Sequence, residues 1–179
     1  MTSPQFPVTS GRAAVRPSNT LSSHPGRARG VALPESALLA LALPRVDWCD
    51  AYAVSFPAAP PGQPRQWADA IFGSAPPWMS VLFGIREVLV RLVGIEPGGS
   101  HVFDTVAATD DEVLLGTDHK HLSFRASVLL EPSRVVLSTV VQVHNRRGRV
   151  YSAVVRLLHP IVVRTSLTRA ARTMTAAGP

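Results

Sequence analysis

Between residues 101 and 144 the chain reads as four strand-like runs, 101–107, 112–116, 119–130 and 134–144, separated by breaks of only two to four residues. Asp110-Asp111, Thr117-Asp118 and Pro132-Ser133 supply the turn residues. A parallel crossover needs about a dozen residues, so breaks this short admit only antiparallel hairpins. The predicted result is a meander. In its third run, alternation sets Leu122, Phe124, Ala126, Val128 and Leu130 on one face and His121, Ser123, Arg125 and Ser127 on the other.

The flanking segments carry different periods. Residues 46–56 read as a first strand, ended by Pro57 and the Pro60-Pro61-Gly62 turn. From Pro64 the apolar positions recur every three or four residues, as Trp67, Ile71 and Phe72, and after Pro76-Pro77 as Trp78, Leu82, Ile85, Leu89 and Leu92. These predict two short helices between the first and second strands, each with proline near its first turn. A further short helix over 36–43 is bracketed by Pro34 and Pro44. From Arg149 the period is again helical: Val150, Val154, Leu157 and Ile161, with Tyr151, Val155, Leu158 and Val162, make a broad apolar face on a long helix ending near Met174. Pro160 removes an amide donor and predicts a kink or break near His159.

These elements form one α+β domain over 34–175. It follows an unstructured extension over 1–33, which is acid-free and rich in proline, and precedes a short tail over 176–179. Charge is unevenly placed. Residues 1–34 hold four arginines and no acid, residues 35–131 hold all 12 acids against six basic residues, and residues 132–179 hold eight arginines and no acid. Such basicity implies a nucleic-acid footprint only beside a reading motif, and none is present, so no nucleic-acid partner is expected. The sole cysteine, Cys49, excludes an intrachain disulfide and fits a reducing cytoplasm. Its acidic neighbours Asp47 and Asp50 give it no activating cation, and it reads as a small buried side chain. The longest apolar run, 150–163, is interrupted by Arg156 and His159 and falls short of the roughly 20 residues of a membrane span.

No nucleophile elbow, phosphate-binding loop, CxxC or HExxH pattern occurs. His119 and His121 share a strand face, with Asp104 and His101 as imaginable partners, but two ligands fall short of the three or four a metal requires. Neither a metal nor another cofactor is expected. Asp110-Asp111-Glu112 reads as a solvated turn, and Trp67 and Trp78, at helical spacing, read as core. The set with chemical potential is His121, Arg125, His144, Asn145, Arg149 and Tyr151. If the turn after the last strand leads straight into the helix, these groups converge at one end of a sheet–helix cavity, as a cationic clamp and proton donor for an anionic or carbonyl-bearing ligand.

The order β-α-α-β-β-β-β-α resembles the helix-grip architecture of the START and polyketide-cyclase-like superfamily, in which a curved antiparallel sheet wraps a long C-terminal helix. The competing cone-shaped fold of nuclear-transport-factor-like proteins ends in strands. Gly148-Arg149-Val150-Tyr151-Ser152-Ala153-Val154-Val155, followed by His159 and Ile161-Val162-Val163, resembles the ending of the family catalogued as domain of unknown function 2867, and His121-Leu122-Ser123-Phe124-Arg125 resembles its central strand. The resemblance covers roughly residues 46–174 and carries no established activity. Some relatives append to a dinucleotide-binding reductase domain; this chain lacks G-x-G-x-x-G, so the resemblance implies a reductase only as a partner. The function expected is binding of a small hydrophobic or amphipathic ligand between sheet and helix. The alternatives are a cyclase- or dehydratase-like enzyme, and an interaction module whose Arg146, Arg149, Arg156, Arg164, Arg169 and Arg172 meet an acidic partner or make peripheral membrane contact.

Overall fold

A computed structural model describes residues 25–73 and 103–176. The meander forms as predicted: β3 (Thr105–Ala108), β4 (Glu112–Asp118), β5 (Leu122–Glu131) and β6 (Arg134–Val143) are joined by short turns and pair antiparallel. β2 (Trp48–Ser55) returns alongside β6, and β1 (Arg29–Gly30) pairs with β2 at the edge. The curved six-stranded sheet has the order β1-β2-β6-β5-β4-β3. Helix α1 (Ala37–Ala40) precedes β2, α2 (Pro64–Phe72) follows it, and α3 (Arg146–Ala176) closes the fold. The second helix predicted after Pro76-Pro77, with Trp78 and His101, lies outside the described residues.

Alternation divides the sheet into two faces. Toward the long helix point Tyr52 and Val54 of β2, Val135 and Leu137 of β6, Val128 of β5, and Val113 and Leu115 of β4. They pack on Trp67, Ala68 and Ile71 of α2 and on Val163, Leu167, Ala170 and Ala171 of α3. Trp67 is fully buried and donates its indole N–H to the Pro61 carbonyl at 2.8 Å, so its one polar atom is satisfied. Arg169 of α3 reaches the carbonyls of Ala70 and Ile71 at 3.3 Å each, placing a cation at the C-terminal end of α2 where the helix leaves acceptors unpaired.

The opposite face carries a smaller cluster of Leu114, Val140 and Leu39, the last from α1. Ser36 caps α1 by accepting the Leu39 N–H at 3.2 Å, and its own hydroxyl donates to Glu112 at 2.5 Å. Glu112 therefore departs from the expected solvated turn: it is buried, and its second carboxylate oxygen accepts from the hydroxyl of Ser127. Asp110 and Asp111 beside it are exposed.

Four other expectations are corrected. Residues 25–33 belong to the fold and not to an extension: Ala28 is buried, its N–H donates to Thr168 at 3.0 Å, and the Val31 N–H donates to Ala51 at 2.9 Å. Residues 1–24 lie outside the described residues. Cys49 is exposed on the sheet face turned away from α3, whereas Ala51 and Ala53 further along that face are buried. Pro160 does not break α3, which runs from 146 to 176. Contacts on both sides hold it, His159 to Asp50 before the proline and Val163 and Leu167 in the core after it.

The fourth correction concerns the rotation of α3. Its buried residues are Gly148, Ser152, Val163, Ser166, Leu167, Ala170 and Ala171, whereas Val150, Leu157 and Ile161, expected on the core face, are 57%, 76% and 57% exposed. Tyr151, Val155, Leu158 and Val162 are half-buried. Small residues set the inward line because they let the helix backbone approach the sheet.

Candidate functional site

Packing between sheet and α3 is graded. Val54, Val128, Val135 and Leu167 are fully buried at one end. At the other, where β6 passes into α3, Leu122, Phe124, Val143, Trp48, Tyr151 and Val155 are only half-buried. The polar chemistry sits at this looser end, in two groups.

The first group holds four of the six residues singled out from the sequence. The His144 N–H donates to the His121 carbonyl at 2.9 Å, joining the β4–β5 turn to the end of β6. Asn145 secures the start of α3: its Oδ1 accepts the Gly148 N–H at 3.1 Å, and its Nδ2 donates to the Lys120 carbonyl at 2.9 Å and lies 3.0 Å from His121 Nδ1. His121 Nδ1 also lies 3.2 Å from Asn145 Oδ1, so the ring's tautomer decides whether it accepts from the amide Nδ2 or donates to Oδ1. Nε2 is buried and has no hydrogen-bond partner among the described residues.

Arg125 lies on the sheet face turned away from α3. It donates to the carbonyls of Thr117 and Phe124 at 3.2 and 2.9 Å and to Asp118 at 2.8 Å. The hydroxyl of Ser123 is 2.9 Å from His144 Nε2. Hydrogen bonds from Arg125 and then Ser123 hold the Asp118 carboxyl below its usual pKa. Arg149 is not part of this group: it is exposed, on the side of Asp47, whose pKa is lowered first by the Val143 N–H and in smaller part by the cations Arg45 and Arg149. Tyr151 is half-buried one turn into the helix. The predicted cluster is thus a corner joint, with Arg125, Ser123 and His144 on the outer face and Asn145 capping the helix.

The second group lies in the sheet–helix layer itself and was not singled out from the sequence. Asp50 of β2 and His159 of α3 meet at 2.8 Å between Oδ2 and Nδ1. Asp50 Oδ1 is buried and makes no hydrogen bond of acceptable geometry among the described residues. The Tyr52 phenol stands close by; burial, and then the Asp50 carboxylate, push its pKa up. Trp48 walls the site: its indole N–H donates to Ser152 at 2.6 Å, its ring meets His159 edge-on at 5.4 Å, and Arg156 lies 5.7 Å above it. In a neutral ring that gives its Nδ1–H to the carboxylate, Nε2 would be the acceptor, the arrangement by which a carboxylate orients a histidine as acceptor or base.

One sequence signal could have exposed this group. Trp48, Asp50, Tyr52 and Val54 alternate along one strand, so a carboxylate sits in register with core-facing aromatics. His159 comes from 109 residues away, and its partner follows only from the fold.

Among the described residues, no group of three or more histidine, cysteine, aspartate or glutamate side chains could hold a metal ion. No helix among them is long and apolar enough to cross a membrane. No curated protein and no solved structure matches this chain. Residues 42–166, more than two thirds of the sequence, match the family described as protein of unknown function (DUF2867), and the chain belongs to that family.

Proposed function

We propose that this domain binds a small amphipathic molecule in the layer between β2, β6, β5 and the first half of α3, with Asp50 and His159 as its polar anchor. One observation carries this reading: a buried carboxylate oxygen outside any hydrogen bond of good geometry among the described residues, paired through its other oxygen to a histidine, beside the half-buried aromatic and aliphatic side chains of the sheet–helix layer. A buried acceptor left unmade costs about 1–3 kcal/mol, more when charged, and a ligand hydroxyl or amide N–H at Asp50 Oδ1 would recover that cost. The half-buried Phe124, Val143 and Val155 supply an apolar wall for the ligand body. The helix-grip resemblance supports the same location.

The test is mass spectrometry of small molecules released from gently purified protein, wild type against Asp50→Asn. The wild type should retain an amphipathic compound, and the variant, of unchanged size and melting temperature, should lose at least about tenfold of it, as expected when a charge-assisted hydrogen bond is removed. Equal retention by both proteins refutes the anchor, and no retained compound in either refutes the binding site.

A second reading rests on the same pair. A carboxylate-oriented histidine is what proton abstraction next to a carbonyl requires, so the site also suits cyclase- or dehydratase-like chemistry. Under that reading His159→Gln keeps the released compound and abolishes its turnover.

A further inference from the structure

The rotation of α3 leaves large apolar side chains on its solvent face. At 100° per residue Val150, Leu157 and Ile161 fall within about 40° of one another, a line about 16 Å long on the outer surface. Their exposures, 57%, 76% and 57%, make them three of the most exposed large hydrophobic residues among those described. Arginines border the line: Arg146 and Arg147 at its start are exposed, and so is Arg164 beyond its end, which keeps its charge at the surface while its Nε–H donates to the Ala28 carbonyl at 3.2 Å. Residues 132–179 contain no acidic side chain. The line stands on a convex helix surface, so it offers tips to insert and no groove to receive a partner's side chains.

We propose that this face of α3 docks on an anionic lipid surface. Charge complementarity selects the occupant. A second copy would bring two acid-free, arginine-bordered helices together, and like charges resist that pairing. A lipid surface bearing phosphatidylserine supplies negative charge on both sides of the line and accepts the apolar tips between head groups, the arrangement used by interfacial helices. Arg156 and Arg169 take no part, since one stacks over Trp48 and the other binds the end of α2. This inference does not depend on the ligand site; the inward face of the helix carries that one.

The test is co-sedimentation of the full chain with vesicles of phosphatidylcholine alone and of phosphatidylcholine mixed with phosphatidylserine, at low and at high salt, with analytical ultracentrifugation of the protein alone. Sedimentation with the anionic vesicles only, weakened by salt, is expected. Leu157→Ser with Ile161→Ser changes exposed positions and should leave the melting temperature unchanged while lowering vesicle binding by at least about tenfold. Arg146→Gln with Arg147→Gln should remove most of the salt dependence. Failure to sediment with anionic vesicles overturns the proposal, as does binding indifferent to the Leu157 and Ile161 changes. A dimer that these changes dissolve, without vesicle binding, also overturns it, in favour of self-association.

Discussion

Gly148→Ala tests the corner joint and has a sign opposite to the ordinary expectation for a helix. Inside α3, replacing glycine by alanine would by propensity alone stabilise the protein by about 1 kcal/mol. Here a Cβ would lie 2.0 Å from the His121 carbonyl oxygen, 2.9 Å from its carbon and 3.3 Å from a methyl of Val143. An ordinary carbon–oxygen contact is about 3.3 Å, so the first turn of the helix must retreat by roughly 1.3 Å. That retreat strains three bonds at once: His144 N–H to the His121 carbonyl, Gly148 N–H to Asn145, and Asn145 to His121. Overpacking costs about 1–3 kcal/mol and a lost cap about 1 kcal/mol. Set against the propensity gain, the net effect is a loss of about 1–3 kcal/mol. With a urea m-value of about 1–3 kcal/mol per molar, the unfolding midpoint should fall by roughly 1 M. Ala153→Gly, at an exposed site on the same helix, isolates the propensity term and should lower stability by about 1 kcal/mol. If Gly148→Ala raises the midpoint or leaves it unchanged, the close approach of helix and turn is not what holds this corner.

Two further outcomes follow from buried and paired carboxylates. Glu112→Ala removes the acceptor for Ser127, which is fully buried, and for Ser36, which tethers α1; a loss of about 2–3 kcal/mol in urea unfolding is expected, and a change below about 0.5 kcal/mol would contradict the buried network. The folded Asp118 carboxyl is depressed below its unfolded pKa of about 3.9, so its contribution is present above that value and is lost as pH falls through the folded pKa. Because the Asp118 side chain is 65% exposed, the contribution should stay under about 1 kcal/mol. The stability difference between wild type and Asp118→Asn should therefore shrink between about pH 5 and pH 2, and a constant difference would refute the pairing.

Short hairpin breaks made the sheet legible, because chain length alone forbids other connections. α2 was legible from Trp67 and Ile71, and α1 from its bracketing prolines. What escaped was set by partners distant in sequence. β1 is two residues long and has no period of its own; it forms because Gly30 and Arg29 find Tyr52 and Ala53 on an open edge. Glu112 follows two aspartates at a turn and looks solvated until α1 folds over it. Four of the six candidate site residues do gather at the corner, since a turn leading straight into a helix brings the end of β6 beside the β4–β5 turn. Arg149 does not join them: it is exposed, on the side of Asp47.

The rotation of α3 links the main features of the molecule. A helix of 31 residues has one azimuth to choose, and its second half decides it. Val163, Leu167, Ala170 and Ala171 meet Val54, Val135 and Trp67 in a buried core, where each large side chain is worth about 1.5–3 kcal/mol. Turning the helix over to bury Leu157 and Ile161 would give up that core and would also part Trp48 from Ser152 and Asp50 from His159. The first half therefore takes the orientation imposed on it. Gly148, Ser152 and His159 face inward, where small and polar side chains line a half-buried layer with a carboxylate–histidine pair, and Val150, Leu157 and Ile161 face outward among arginines. The apolar pattern of the helix correctly announced that it packs on the sheet, but at its start the largest apolar residues mark the face that does not. The polar site and the exposed line are opposite sides of one packing decision, so a substitution that rotates α3 should disturb both together, whereas Asp50→Asn and Leu157→Ser should each disturb one alone.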